Sequence, residues 1–210
     1  MSANIAFGLK QAGHIHGNRP AVALGRTTLQ SYSQLAERAA RLANGLQGKL
    51  GLQPGDRIAI ASKNRPEYVE AMYGIWWGGF AAVPANAKLH GAEFRYILEN
   101  SGARACLVGP EVFETIAEHQ PDSLKHLAVL GSDTYAMLFD ADPAPLAEVD
   151  GDDLAWLFFT SGTTGNPKGV LISHQNMTAA IGGSAVEGSN LRPYLTQGAR
   201  FLAYLPLAHS

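Results

Sequence analysis

Alternating strand and helix signals between residues 57 and 130 predict an α/β protein: a layered, mainly parallel β-sheet flanked by helices. Composition agrees. Hydrophobic residues make up 46% of the 210-residue chain and charged residues only 16%, enough apolar material for a sizeable core and no signature of disorder. No repeat or low-complexity tract interrupts the alternation, and crossovers between parallel strands are expected to be right-handed.

The elements follow in order. Ser31 and Gln34 form a capping-box pair, after which Leu35, Ala39, Leu42 and Leu46 share one helical face. Gly48 and Gly51 end that helix. Pro54-Gly55 turns the chain into a strand at Arg57–Ala61, and Pro66 opens a helix over about 67–78. A short strand, Ala81–Val83, is expected to stop at Pro84. His90-Gly91 precedes a helix over about 92–100. A strand at Arg104–Val108, a helix at Glu111–His119 and a strand at Leu127–Leu130 follow. Between Gly131 and Asp153 the chain turns acidic and contains prolines, which reads as a surface connection between two sub-sheets. Leu154–Phe159 is an apolar run suited to a buried strand, and Val170–Ile172 reads as a second strand. Ser173 can cap a helix to about residue 181, ended by Gly182-Gly183, and Phe201–Leu205 returns as a strand.

Several function classes are disfavoured. The net charge is −2 and no basic stripe forms, so nucleic acid is not the expected partner. Cys106 is the sole cysteine and lies in an apolar stretch; it predicts a buried core thiol, no intramolecular disulfide and a reducing, cytoplasmic setting. The N-terminus lacks a basic segment followed by an apolar one, as a signal peptide would have. The longest apolar stretch, Ala71 to Val83, contains three glycines and is too short to span a bilayer.

The chemistry concentrates in Phe159-Thr160-Ser161-Gly162-Thr163-Thr164-Gly165-Asn166-Pro167-Lys168-Gly169. Glycines let backbone approach a ligand, and successive N–H groups form an anion-binding concavity. Thr160, Ser161, Thr163 and Thr164 add hydroxyls, and Lys168 adds a mobile positive charge. A polyphosphate, most plausibly of a nucleotide triphosphate, suits that donor set. This is not a Walker A loop: Gly162 and Gly165 are too close, Pro167 precedes the lysine, and Gly169 stands where Ser or Thr belongs. A plain hairpin turn would need neither so many hydroxyls nor a lysine.

This segment resembles the phosphate-loop motif of the adenylate-forming superfamily, which includes acyl-CoA synthetases, luciferases and peptide-synthetase adenylation domains. Tyr204-Leu205-Pro206-Leu207-Ala208-His209-Ser210 resembles the next core motif, at the carboxylate-substrate pocket. Leu29–Leu35, Pro54–Ile60 and Gly78–Pro84 are similar to further family stretches, and the family order is kept. The resemblance implies the first part of the large N-terminal domain of the adenylate-forming fold. It implies the family's two steps: a carboxylic acid and Mg²⁺-ATP give acyl-AMP and pyrophosphate, and a thiol, usually of coenzyme A, then displaces AMP. The loop would hold the β- and γ-phosphates through Thr160, Ser161, Gly162, Thr163, Thr164, Gly165 and Lys168, and is expected to move. His209 would lie against the acyl group, without a general-base role.

Other singled-out residues have plainer readings. His14 and His16 have no zinc-spaced partners beside them. One of Trp76 and Trp77 is expected in the core and the other at an interface. Asp152 and Asp153 solvate a strand entrance, and Asp56 stabilises its turn. The later family segments that would supply a Mg²⁺-binding Glu, a ribose-binding Asp, a hinge and an adenylation lysine are not found in these 210 residues, so no complete catalytic set is expected. The leading expectation is therefore a partial N-terminal adenylation domain, 1–210, of an AMP-forming acyl- or aryl-CoA synthetase, inactive alone. The alternative is a truncated, non-catalytic nucleotide- or partner-binding module; a phosphotransferase reading is weakened by the missing kinase-type lysine context. The apolar run Phe201–Leu207 is expected to leave an open edge and favour self-association.

Overall fold

Most of the chain's strands run parallel in one six-stranded sheet, in the order β6-β5-β3-β4-β7-β8. The computed structural model describes residues 2–160, 167–186 and 207. The elements are α1 (Phe7–Ile15), β1 (Pro20–Leu24), β2 (Thr27–Ser31), α2 (Tyr32–Gly48), β3 (Arg57–Ala61), α3 (Pro66–Trp77), β4 (Ala81–Ala85), α4 (Gly91–Ser101) and β5 (Ala103–Val108). There follow α5 (Phe113–Glu118), β6 (His126–Val129), α6 (Asp133–Ala136), a 3₁₀ turn at Met137–Phe139, β7 (Leu154–Thr160), β8 (Lys168–Ser173) and α7 (His174–Val186). The α/β layered fold expected from sequence is present, with β8 antiparallel to β7. No helix is long and apolar enough to cross a membrane among the described residues.

Period-two alternation divides the core. Ile58, Ile60, Ala82, Ala105 and Leu107 face α1, α2 and α3, whereas Ala59, Ala61, Val83, Cys106 and Val108 face α4 and α5. Central parallel strands are thus apolar on both sides, which is why they read as continuous apolar runs. Cys106 is buried as expected, and desolvation pushes its thiol up to about 12.

Helix α2 follows its sequence closely. The Ser31 hydroxyl accepts from the Gln34 N–H at 3.3 Å, and the Gln34 side chain accepts from the Ser31 N–H at 2.8 Å. Leu35, Ala39, Leu42 and Leu46 are all buried. Its close crossing with α3 depends on Gly74, where an added Cβ would stand 2.8 Å from Leu42 Cγ. Pro66 occupies the first turn of α3, where a missing N–H costs nothing. Gln53 N–H donates to Asp56 Oδ2 at 2.8 Å, so Asp56 does hold its turn.

Several expectations need correction. Pro84 does not stop β4, which runs to Ala85, because its fixed φ suits extended backbone and it stands one residue from the strand end. Helix α5 starts at Phe113 rather than Glu111, since Glu111 turns its carboxylate to the loop after β3. Gly182-Gly183 does not end α7: glycine in a helix is a cost of about 1 kcal/mol each, not a stop. Trp76 and Trp77 are both buried, their indole N–H groups donating to Ala155 O at 2.9 Å and Ala144 O at 3.0 Å.

Residues 131–153 do not join two sub-sheets; they carry the chain from β6 to β7 of the same sheet. They form a strap across α2 and α3. Tyr135 and Leu138 are buried, Arg41 donates to Ala141 O at 2.8 Å, and Ala144 N–H donates to Ala40 O at 3.1 Å. Beneath the strap the buried Glu70 accepts from Arg38, from Gln30 at 2.8 Å and from the Tyr135 hydroxyl at 3.0 Å. The strand expected at Phe201–Leu205 lies outside the described residues.

Candidate nucleotide-phosphate site

Because β3, β4, β5 and β7 are parallel, their carboxyl ends share one edge of the sheet. Ligands of open α/β sheets bind outside that edge. The loops following β3, β4 and β5 leave from it, and so does the β7–β8 hairpin.

Thr160 and Lys168 are cross-strand partners at the hairpin's base, in register with Phe159 and Gly169. Both are exposed, and the Thr160 hydroxyl makes only a long 3.5 Å bond to Lys168 O. None of the ion pairs among the described residues uses Lys168. A Cβ at position 169 would stand 3.1 Å from Leu157 Cδ1, a tight contact with the end of a side chain. Pro167 O accepts from the Tyr96 hydroxyl of α4 at 3.2 Å. Ser161, Gly162, Thr163, Thr164, Gly165 and His209 lie outside the described residues.

The neighbouring loop, 62–65, is built by side chains. Glu111 accepts from the Lys63 N–H at 2.6 Å and from the Ser62 hydroxyl at 3.2 Å. Desolvation pushes the Glu111 carboxyl upward, but these donors and its own backbone N–H outweigh it and hold it below the usual range. Asn64 Oδ1 then accepts from the Leu207 N–H at 2.8 Å. Leu207 packs against the core face shared with α1–α3, two residues in sequence before His209. On β7, Trp156 stacks on Phe158 with centroids 4.6 Å apart and meets Trp76 edge-on at 5.3 Å. Thr160 is the next residue on that side of the strand.

The arrangement offers a hydroxyl and an ammonium that is unpaired among the described residues, at a sheet's carboxyl edge, a donor set that fits phosphate oxygens. It offers no comparable set for a divalent cation: among the described residues no group of three or more His, Cys, Asp or Glu side chains converges. Of the residues singled out in sequence, Thr160 and Lys168 are brought together here; Tyr96 and Asn64, which contact the same region, were not singled out. A polar residue in the short loop after a strand was the available signal for Asn64. Tyr96 carries no local signal, since its partner is 71 residues away.

A family model described as AMP-binding enzyme matches residues 9–210. A feruloyl-CoA synthase of Amycolatopsis sp is 37% identical over 190 residues, covering 90% of this chain and 36% of that protein. A fatty acid–[acyl-carrier-protein] ligase, ScoC, of Streptomyces coeruleorubidus is 35% identical, covering 80% and 33%. The chain thus spans about a third of the length of these relatives. Among solved structures, the N-terminal domain of FACL13 from Mycobacterium tuberculosis superposes with TM-score 0.77 at 29% identity, covering 90% of this chain and 49% of that one. The anthranilate CoA ligase AuaEII, solved with anthranoyl-AMP, gives 0.79 at 26% identity, covering 88% and 37%. With a β7–β8 hairpin at the carboxyl edge of a parallel sheet and a family match over residues 9–210, the chain belongs to the AMP-binding enzymes, the adenylate-forming family.

Proposed function

We propose that residues 1–210 form part of the N-terminal adenylation domain of an AMP-forming acid–thiol ligase. In that reaction a carboxylate oxygen attacks the α-phosphorus of ATP, the bond to pyrophosphate breaks, and acyl-AMP forms. A thiol sulfur then attacks the acyl carbon, loses its proton and expels AMP. The carrying observation is the exposed Lys168, unpaired among the described residues, at the base of the Gly/Ser/Thr hairpin on the sheet's carboxyl edge. Its ammonium and the Thr160 hydroxyl would neutralise charge developing on the departing pyrophosphate, an effect strongest when donors are fixed in advance.

Coenzyme A is the proposed thiol, in keeping with the CoA ligases among the relatives, and an aryl or fatty acid the proposed carboxylate. Magnesium would accompany ATP, though the described residues assign it no ligand. Buried Cys106 and dependence on ATP fit a reducing cytoplasm. We further propose that the 210 residues do not complete the reaction alone, since the stretch they match is 36% of the feruloyl-CoA synthase and 33% of the ScoC ligase. The test is ATP–pyrophosphate exchange with a panel of aromatic and aliphatic acids, by the 210-residue chain and by the longer protein that contains it. The longer protein should exchange and the short chain should not, and Lys168→Ala should lower exchange at least about tenfold, the loss of one charge-assisted contact. Exchange unaffected by Lys168→Ala would sink the assignment.

A further inference from the structure

We propose that Tyr96 is a positioning residue for the phosphate loop, fixing Pro167 and thereby presenting Lys168 to the nucleotide phosphates. The inference rests on the reading of Lys168 given above.

Its basis is geometric. The Tyr96 hydroxyl donates to Pro167 O at 3.2 Å across 71 residues of sequence. That carbonyl and the Lys168 N–H belong to one planar peptide unit, so a hold on the oxygen orients the Lys168 backbone directly. The pyrrolidine ring fixes φ on the other side of the same residue. Pairing with β7 holds the strand along its backbone, but side chains add little to that restraint. Residues 168–171 are exposed, and among the described residues only two side chains hydrogen-bond to 167–172: Tyr96, and Thr160 at a long 3.5 Å.

Tyr96 is itself well seated. It is half-buried on α4, between the buried Phe94 and the buried Ile97 and Leu98, and packs against the core face that α4 and α5 cover. A ring held in a packed face makes its hydroxyl a fixed post beside the first residue of the returning strand. Lysine carries about 2 kcal/mol of rotamer entropy and no fixed geometry of its own, so its precision at a ligand must come from the backbone that bears it.

Tyr96→Phe keeps the ring and removes only the hydroxyl. Two readouts are needed. In the 210-residue chain, the Lys168 backbone amide resonance should shift, because its own peptide carbonyl loses a donor. In the longer protein, KM for ATP should rise about three- to tenfold, the range of one hydrogen bond, with KM for the carboxylate unchanged. Lys168→Ala serves as the reference arm. If Lys168→Ala weakens ATP use and Tyr96→Phe leaves it within twofold, the inference falls and the reading of Lys168 stands. If Tyr96→Phe raises both KM values alike, Tyr96 is merely structural and the inference also falls. If Lys168→Ala changes nothing, the reading falls and the inference with it.

Discussion

His174 shows how one side chain can join distant parts of the chain and carry a pH dependence. It is fully buried at the start of α7, its Nδ1 accepts from the Ile5 N–H at 3.1 Å, and its backbone N–H donates to the backbone Asp153 O at 3.0 Å. Desolvation lowers its pKa from the ordinary 6.5, and the charge of Asp153 offsets this only in part. Below 6.5 the unfolded chain therefore binds a proton that the folded chain refuses, and stability falls as pH falls through that value towards the folded pKa. Urea midpoints at about pH 7.5 and 5.5 should show a larger acid loss for the native chain than for His174→Asn, which keeps an acceptor but does not titrate. Equal losses would refute the assignment. None of this was legible in sequence: Ser173 announced a helix cap, but the Ile5 partner lies 169 residues upstream of His174. Lys168 was legible because its whole context, from strand to glycines, sits within one short stretch.

At the scale of elements, the crossing of the strap over α2 is set by a single missing methyl. A Cβ at Gly45 would meet the Leu138 backbone, with its carbonyl carbon at 2.7 Å, and backbone cannot swing aside as a side chain can. Gly45→Ala should cost at least about 1–3 kcal/mol of unfolding free energy despite alanine's better helix propensity. Gly48→Ala, near the end of the same helix and 3.7 Å from its nearest neighbour, should be neutral or stabilising. Matched urea curves for the two variants separate packing from propensity. Helices and strands with local punctuation, α2 with its capping box and β3 after Pro54-Gly55, were readable with nearly correct bounds. The hairpin β1–β2 was missed although Gly25, at φ +59°, marks its turn. Helix α1 was missed because only Leu9 of its residues is buried, which leaves no apolar stripe to detect. The strap lies at the surface as expected, but its prolines and acids gave no sign of its two buried anchors, Tyr135 and Leu138.

For the molecule as a whole, the sheet ends at β8 among the described residues, and that strand carries exposed apolar side chains. Val170 is 45% exposed and Leu171 70%. An apolar edge strand recruits another strand unless charge or cover prevents it. Sedimentation of the 210-residue chain should therefore show concentration-dependent association, and Leu171→Lys should suppress it. A monomer that does not respond to concentration would show that the edge is already satisfied. The self-association expected from Phe201–Leu207 rests, Leu207 apart, on residues outside those described, so β8 is the segment on which an apolar edge can be tested.

The placement of Cys106 makes the chain a clock for its own opening. The one thiol sits midway along β5, 1% exposed, on an interior strand flanked by β3 and β6. Its proton is held so firmly that the nucleophilic thiolate is scarce while the fold is intact. Modification by a thiol reagent must then wait for the sheet to part, and its rate at high reagent reads the frequency of that event. Labelling should slow to the global unfolding rate in the absence of denaturant. With no second cysteine to confuse the signal, every variant named above can be timed against the same internal mark.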